Sequence, residues 1–210
     1  MSDNTRIGRL PERGVPDREA LYSILDEALI CHAGYVIDER PVVIPTLFAR
    51  DEDRILLHGS NTSGLIRAAR HGSPLCVTVT HLDGLVVARS GFNSSANYRS
   101  AVIHGMGRLL EGEEHKRALD LTVERLLPGR LKDVRAPTES ELKQTSVVEL
   151  LLTEWSVKAR SGGPGDDVAD LTSDAWAGVV PMRMVAGPPV PSDDLRPGIP
   201  TPDYVDPYVR

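Results

Sequence analysis

The sequence predicts a mainly β domain, an antiparallel barrel with helices inserted between its strands. Three observations carry that expectation. About six or seven short apolar runs recur between turn signals from Cys31 to Val157. Helical patterns interrupt them at only a few places. One long strand pattern is broken by Gly105 and Gly107, as a barrel corner requires. With two Phe and two Trp in the whole chain, the core must be aliphatic.

Taken in order, Asp17 to Ile30 places Leu21, Ile24, Leu25, Ala28 and Leu29 at helical spacing, with Asp17 as the N-cap after Pro16. Cys31 to Ile37 reads as a strand and Asp38-Glu39-Arg40 as a turn. Val42 to Phe48 and Ile55 to Leu57, joined by the charged stretch Arg50 to Asp53, predict a hairpin. Its second strand runs into the small polar turn from His58 to Gly64, and a helix follows over 65–71, stopped by His71-Gly72-Ser73-Pro74. Leu75 to His81 and Leu85 to Ser90 read as two strands joined by an Asp83-Gly84 hairpin turn. After a polar loop, 98–109 reads as the long glycine-interrupted strand, and Glu113 to Leu127 as a helix. Thr138 and Glu141 form a predicted capping box on a short helix over 137–144. Ser146 to Val157 is the last strong strand.

From Ser161 the composition turns to Gly, Pro and Asp. The expected organisation is one domain over 1–160 and a tail over 161–210 that packs on the barrel or on a partner subunit. Within the tail, Trp176 to Met182 is apolar enough to dock. A formal charge of -6 and a pI near 5.5 argue against nucleic acid as a partner. No apolar stretch is long enough to cross a membrane and the first residues lack a signal core, so a cytoplasmic protein is expected. Cys31 and Cys76 form no metal or disulfide pattern, and no metal site is expected.

The chemistry concentrates after the hairpin. A strand emptying into Gly59 to Gly64 and then a helix start presents backbone N–H groups to an anion. Leu65-Ile66 stand where a nucleotide-triphosphate loop needs Lys and Ser or Thr, so NTP hydrolysis is not expected. A monophosphate needs only amides, the hydroxyls of Ser60 or Ser63 and one cation, from Arg67 or Arg99. His58, at the strand end beside this seat, is the candidate catalytic side chain. His32 and His104, in apolar strands, read as core or interface residues.

Several blocks in this order resemble the flavin-binding split barrels related to pyridoxamine 5'-phosphate oxidase, nearest to the nitroimidazole-resistance branch. They are Pro45-Thr46-Leu47-Phe48, Leu57-His58 with Ser63-Gly64, Tyr98 to Gly105, and Leu142 to Val147 ahead of Trp155-Ser156. The resemblance implies a six-stranded antiparallel split barrel and a homodimer with FMN at the interface. On it, Pro45, Thr46, Leu47 and Phe48 lie along the flavin ring. His58, Ser60, Ser63, Gly64 and Leu65 hold the ribityl phosphate, and Arg99 and Ser100 contact the cofactor. The implied activity is FMN-dependent reduction of a small-molecule electron acceptor such as a nitro compound. Deazaflavin is an alternative cofactor, and so is haem ligated by His32 or His58, in a binding module without turnover. Oxidases acting on vitamin B6 carry an Arg-Lys pair where this chain has Ser63-Gly64, so the resemblance does not extend to that substrate.

Overall fold

The computed structural model describes residues 5–205. Its first helix, α1 (Arg18–Glu27), starts where the sequence places it: the Asp17 carboxylate accepts the N–H of Glu19 at 3.3 Å and of Ala20 at 3.2 Å. Leu21, Ile24 and Leu25 form its buried stripe. Strands β1 (Ile30–Ile37), β2 (Arg40–Asp51) and β3 (Arg54–Ser60) follow as an antiparallel meander. Helix α2 (Gly64–Arg70) leads into β4 (Pro74–Val87), β5 (Ser95–Met106) and the two-residue β6 (Arg108–Leu109). Then come α3 (Gly112–Leu126), α4 (Glu139–Gln144), β7 (Thr145–Leu151), β8 (Glu154–Arg160) and, from the tail, β9 (Gly178–Pro181).

The strands form one curled antiparallel sheet in the order β6-β7-β3-β2-β1-β4-β5-β8, with β9 paired to β4. An aliphatic core fills the curl, including Leu57, Leu75, Ile103 and Leu150. A second, smaller cluster of Ala49, Leu56, Leu110, Ala118 and Val147 sits where α3 covers β2, β3 and β7. The predicted close approach at the glycines is present. A Cβ on Gly105 would lie 2.9 Å from Leu150 Cδ1, and one on Gly107 would lie 2.6 Å from Val148 Cγ1. The capping box is also present, with Thr138 Oγ1 accepting from the Glu141 N–H and the Glu141 carboxylate accepting from the Thr138 N–H at 2.7 Å.

Four expectations change. The mainly β split-barrel architecture holds, but the described sheet has nine strands, not six. Asp83-Gly84 is not a hairpin turn; it is a bulge inside the single 14-residue β4. The local preference is overridden because β9 docks there. The Asp83 carbonyl accepts the Met182 N–H at 3.0 Å, and Gly84 leaves room for Val180, whose carbonyl would lie 3.0 Å from any Cβ. Ser146 to Val157 is two strands, β7 and β8, turning at Leu152-Thr153 where the Leu152 N–H is held by the Asp53 carbonyl at 2.8 Å. The 98–109 run is split at Gly107 into β5 and β6.

Candidate functional site

Most of the expected site gathers along β2, β3 and the turn after them. Side chains alternate along β2, so Pro45 and Leu47 point outward, whereas Phe48 is only 2% exposed and belongs to the core. Thr46 is half-buried, and its hydroxyl donates to the Leu47 carbonyl at 3.3 Å. Leu65, expected beside the phosphate, is likewise only 2% exposed. Phe48 and Leu65 therefore contribute backbone and packing, not side-chain contact. His58 is half-buried at the end of β3, opposite Val147. Its Nδ1 is buried and has no hydrogen-bond partner among the described residues. Burial alone pushes the His58 pKa below its ordinary value, so the imidazole is neutral at pH 7.

The turn that follows is built to keep its shape. Asn61 donates through its amide to the Lys143 carbonyl, its N–H is held by the Gln144 carbonyl at 3.1 Å, and its Oδ1 accepts from Ser146 Oγ. Ser63 Oγ caps α2 by accepting from the Ile66 N–H at 3.4 Å, and the Ser63 N–H bonds the Ser60 carbonyl at 2.9 Å. Ser60 Oγ and Thr62 Oγ1 lie 3.1 Å apart on the exposed lip. Those bonds consume the amides of Asn61, Thr62, Ser63 and Ile66, leaving Gly64 and Leu65 as the amides without a partner among the described residues. With only seven residues, α2 adds a weak dipole, so an anion at this turn would depend on these two amides, two hydroxyls and Arg67, which is exposed and without an ion pair among the described residues. Glycine at 64 leaves room for Tyr35: a Cβ there would sit 2.4 Å from its hydroxyl, so the ring would have to shift.

Arg99, the other candidate cation, is engaged by carboxylates. It lies on β5 with its guanidinium shared between Asp83, at 2.8 Å, and Glu27. Arg99 in turn holds both carboxyls below the usual range. At this cluster's edge His81 donates through Nε2 to the Ile24 carbonyl at 2.9 Å. Ser100 points to the other side of β5, its hydroxyl donating to the Lys158 carbonyl at 3.2 Å. The sequence carries no local signal for the Arg99–Glu27 pair or for the Asn61–Ser146 lock, because the partners are 72 and 85 residues apart along the chain.

The outer sheet face beside the seat is apolar and open. Register places Pro45, His32 and Thr78 side by side, and Val43, Gly34 and Cys76 in the next row. Val43 is 65% exposed, Ile30 50% and Leu47 37%. A cavity of about 730 Å³ lies elsewhere, between the N-terminal segment and β8 around Pro11, Val15 and Trp155, and contains none of the expected site residues. Among the described residues no group of three or more His, Cys, Asp or Glu is placed to hold a metal ion, and no helix is long and apolar enough to cross a membrane.

Residues 17–159 match the family described as pyridoxamine 5'-phosphate oxidase. The chain belongs to that family. Among solved structures, it is similar to the flavocytochrome Anf3 from Azotobacter vinelandii, with 36% identity and a TM-score of 0.93 over 98% of this chain and 96% of that one. It is also similar to the FAD and haem binding protein from Mycobacterium smegmatis, at 37% identity and a TM-score of 0.89, covering 92% and 96% of the two chains. A protein from Bacteroides thetaiotaomicron described for 5-nitroimidazole antibiotic resistance shares the fold more distantly, at 22% identity and a TM-score of 0.58 over 69% and 85%. No curated protein matches. Within the pyridoxamine 5'-phosphate oxidase family, then, the strongest of these likenesses extend through the tail, well beyond the matched domain.

Proposed function

We propose that this protein is a flavin-dependent oxidoreductase, working as a homodimer whose flavin lies over the outer face of β2 with its phosphate at the Ser60 to Leu65 turn. The observation that carries the reading is the buried, unpartnered Nδ1 of His58 beside a turn with two free amides and two exposed hydroxyls. A buried polar atom without a partner costs about 1–3 kcal/mol, and a bound polar group removes that cost. The kinship with a flavocytochrome and with an FAD and haem binding protein supports a flavin in this seat. The family resemblance implies FMN; FAD, named for the Mycobacterium smegmatis relative, would present its pyrophosphate to the same donors.

The flavin supplies electron or hydride transfer when bound. The chain's residues do the rest. Gly64 and Leu65 would donate amide hydrogens to the flavin's phosphate oxygens, Ser60 and Thr62 would add hydroxyls, and Arg67 would supply charge. Pro45 and Leu47 offer an apolar floor that excludes water from one face of a planar ring. His58 is neutral, so it orients a polar group or a small electron acceptor through a hydrogen bond instead of donating a proton as an imidazolium. An unpaired apolar sheet face is what a second subunit would cover.

Haem alongside the flavin is the second reading, favoured by the two relatives above. Of the two histidines expected as ligands, His32 is the one that stands exposed on the outer face, next to Pro45. The test is an absorption spectrum and released-cofactor mass of the purified protein, then flavin titration of the apo form. Stoichiometric flavin that His58→Ala weakens supports the reading. No flavin bound at tens of micromolar would overturn it, and a Soret band would decide the haem question independently.

A further inference from the structure

We infer that residues 182–201 form a strap that packs on a second copy of this chain, so that Met184, Val185 and Val190 of each copy wall the flavin seat of the other. The inference rests, for the identity of that seat, on the function proposed above. The strap is pinned at both ends. At its start the Met182 N–H bonds the Asp83 carbonyl. Just beyond its end, Tyr204 packs on Gly129, accepts from Arg130 at 2.9 Å and donates to Asp133 at 2.7 Å. Between those anchors, the hydrogen bonds found among described residues are local ones around Ser192. Residues 183–201 contain no helix or strand, and Gly187-Pro188-Pro189-Val190-Pro191 favours stiff, extended backbone.

Such a segment should be polar if water were its surroundings. Instead Met184 is 93% exposed, Val185 81% and Val190 89%. The chain as a whole shows the same surplus. Its accessible surface is 13402 Å². A compact monomer of 22.9 kDa has about 9,600 Å². The excess, about 3,800 Å², is surface that a chain folded compactly on itself would not expose. The solved flavocytochrome spans 98% of this chain at a TM-score of 0.93, so the strap follows a path present in a folded relative. An apolar strap held on a fixed path without packing on its own body requires another surface.

The second copy is the occupant because the complementary surface is on this same chain. The outer face at Ile30, Val43 and Leu47 is apolar and uncovered, and it adjoins the phosphate turn. Both anchors lie by α1, whose last residues adjoin that face. Asp83 shares Arg99 with Glu27, and Arg125, near the second anchor, ion-pairs with Asp26 at 2.6 Å. The strap is also close to neutral, carrying Arg183 and Arg196 against Asp193 and Asp194, so it approaches without charge repulsion.

The experiment uses the full chain with Met184→Ser, Val185→Ser and Val190→Ser together, read by sedimentation velocity across concentration and by flavin titration. Wild type should sediment as a dimer. The triple variant should keep its far-ultraviolet circular dichroism, dissociate at least about tenfold more readily, and bind flavin at least about tenfold more weakly. Val168→Ser, at a position 85% exposed outside the strap, should change neither. A monomeric wild type, or a triple variant with an unchanged dimer, overturns the strap. A weakened dimer with unchanged flavin affinity overturns its place at the seat. Absence of flavin from wild type would instead count against the proposed function, while the sedimentation result still judges the strap.

Discussion

Replacing Arg99 with Ala separates the two roles that sequence and structure assign to it. If Arg99 held the flavin phosphate, Arg99→Ala would cost affinity and little stability. The structure instead places its guanidinium between Glu27 and Asp83, joining the end of α1 to β4 and β5. The side chains are 32%, 47% and 35% exposed, so each ion pair is partly screened and worth about 0.5–1 kcal/mol. Deletion also leaves two carboxylates facing one another, bringing the expected loss to about 1–2 kcal/mol. For a chain of this size that lowers Tm by about 2–8 °C. The pH dependence follows from the same clamp. Arg99 depresses both carboxyl pKa values in the folded state, so its stabilisation is present above the ordinary carboxylate pKa near 4 and is lost as pH falls through the depressed values. Thermal melts of wild type and Arg99→Ala should therefore differ at pH 7 and converge on acidification, and flavin affinity should change less than about threefold. An unchanged Tm with a tenfold or greater loss of flavin affinity would refute the reasoning.

Further tests address the seat and the frame behind it. Gly64→Ala must displace the Tyr35 hydroxyl and should destabilise by about 1–3 kcal/mol in urea unfolding, while Gly64→Ala combined with Tyr35→Phe should recover part of the loss. Because burial lowers the His58 pKa, the unfolded chain takes up a proton there before the folded one does. Stability from this site is present above pH about 6.5 and falls below it, and His58→Gln should flatten the wild-type decline between about pH 7 and 5 in equilibrium unfolding. Glu149, 6% exposed, faces Arg54 at 2.7 Å and Arg108. Burial opposes its ionisation, but the two guanidiniums outweigh that and hold its carboxyl below the usual range. Glu149→Gln should cost about 2–3 kcal/mol by denaturant titration, with α3 losing protection from hydrogen exchange first.

Much of this protein is legible locally. The Asp17 cap, the Thr138–Glu141 capping box, the Val42 to Leu57 hairpin and the glycine corner all depend on residues a few positions apart, whose preferences are short-range. The mainly β class follows for the same reason, since alternation and turn chemistry repeat along the strands. The strand–turn–helix at Arg54 to Arg70 is legible as well, because a strand end, a polar turn and a helix start are contiguous.

Tertiary contacts decided the remainder. Asp-Gly prefers a turn in isolation, yet at 83–84 the arrival of β9 from almost a hundred residues downstream makes a straight, bulged strand more favourable. Which partners an arginine meets depends on where the acids of other elements stand, and Arg99 meets Glu27 and Asp83. Phe48 and Leu65 read as site residues until the curl of the sheet buries them. Sequence by itself determines the elements, because their energies are local. Which side chains face a ligand is set by how the sheet closes, because that depends on pairings between residues far apart in the chain.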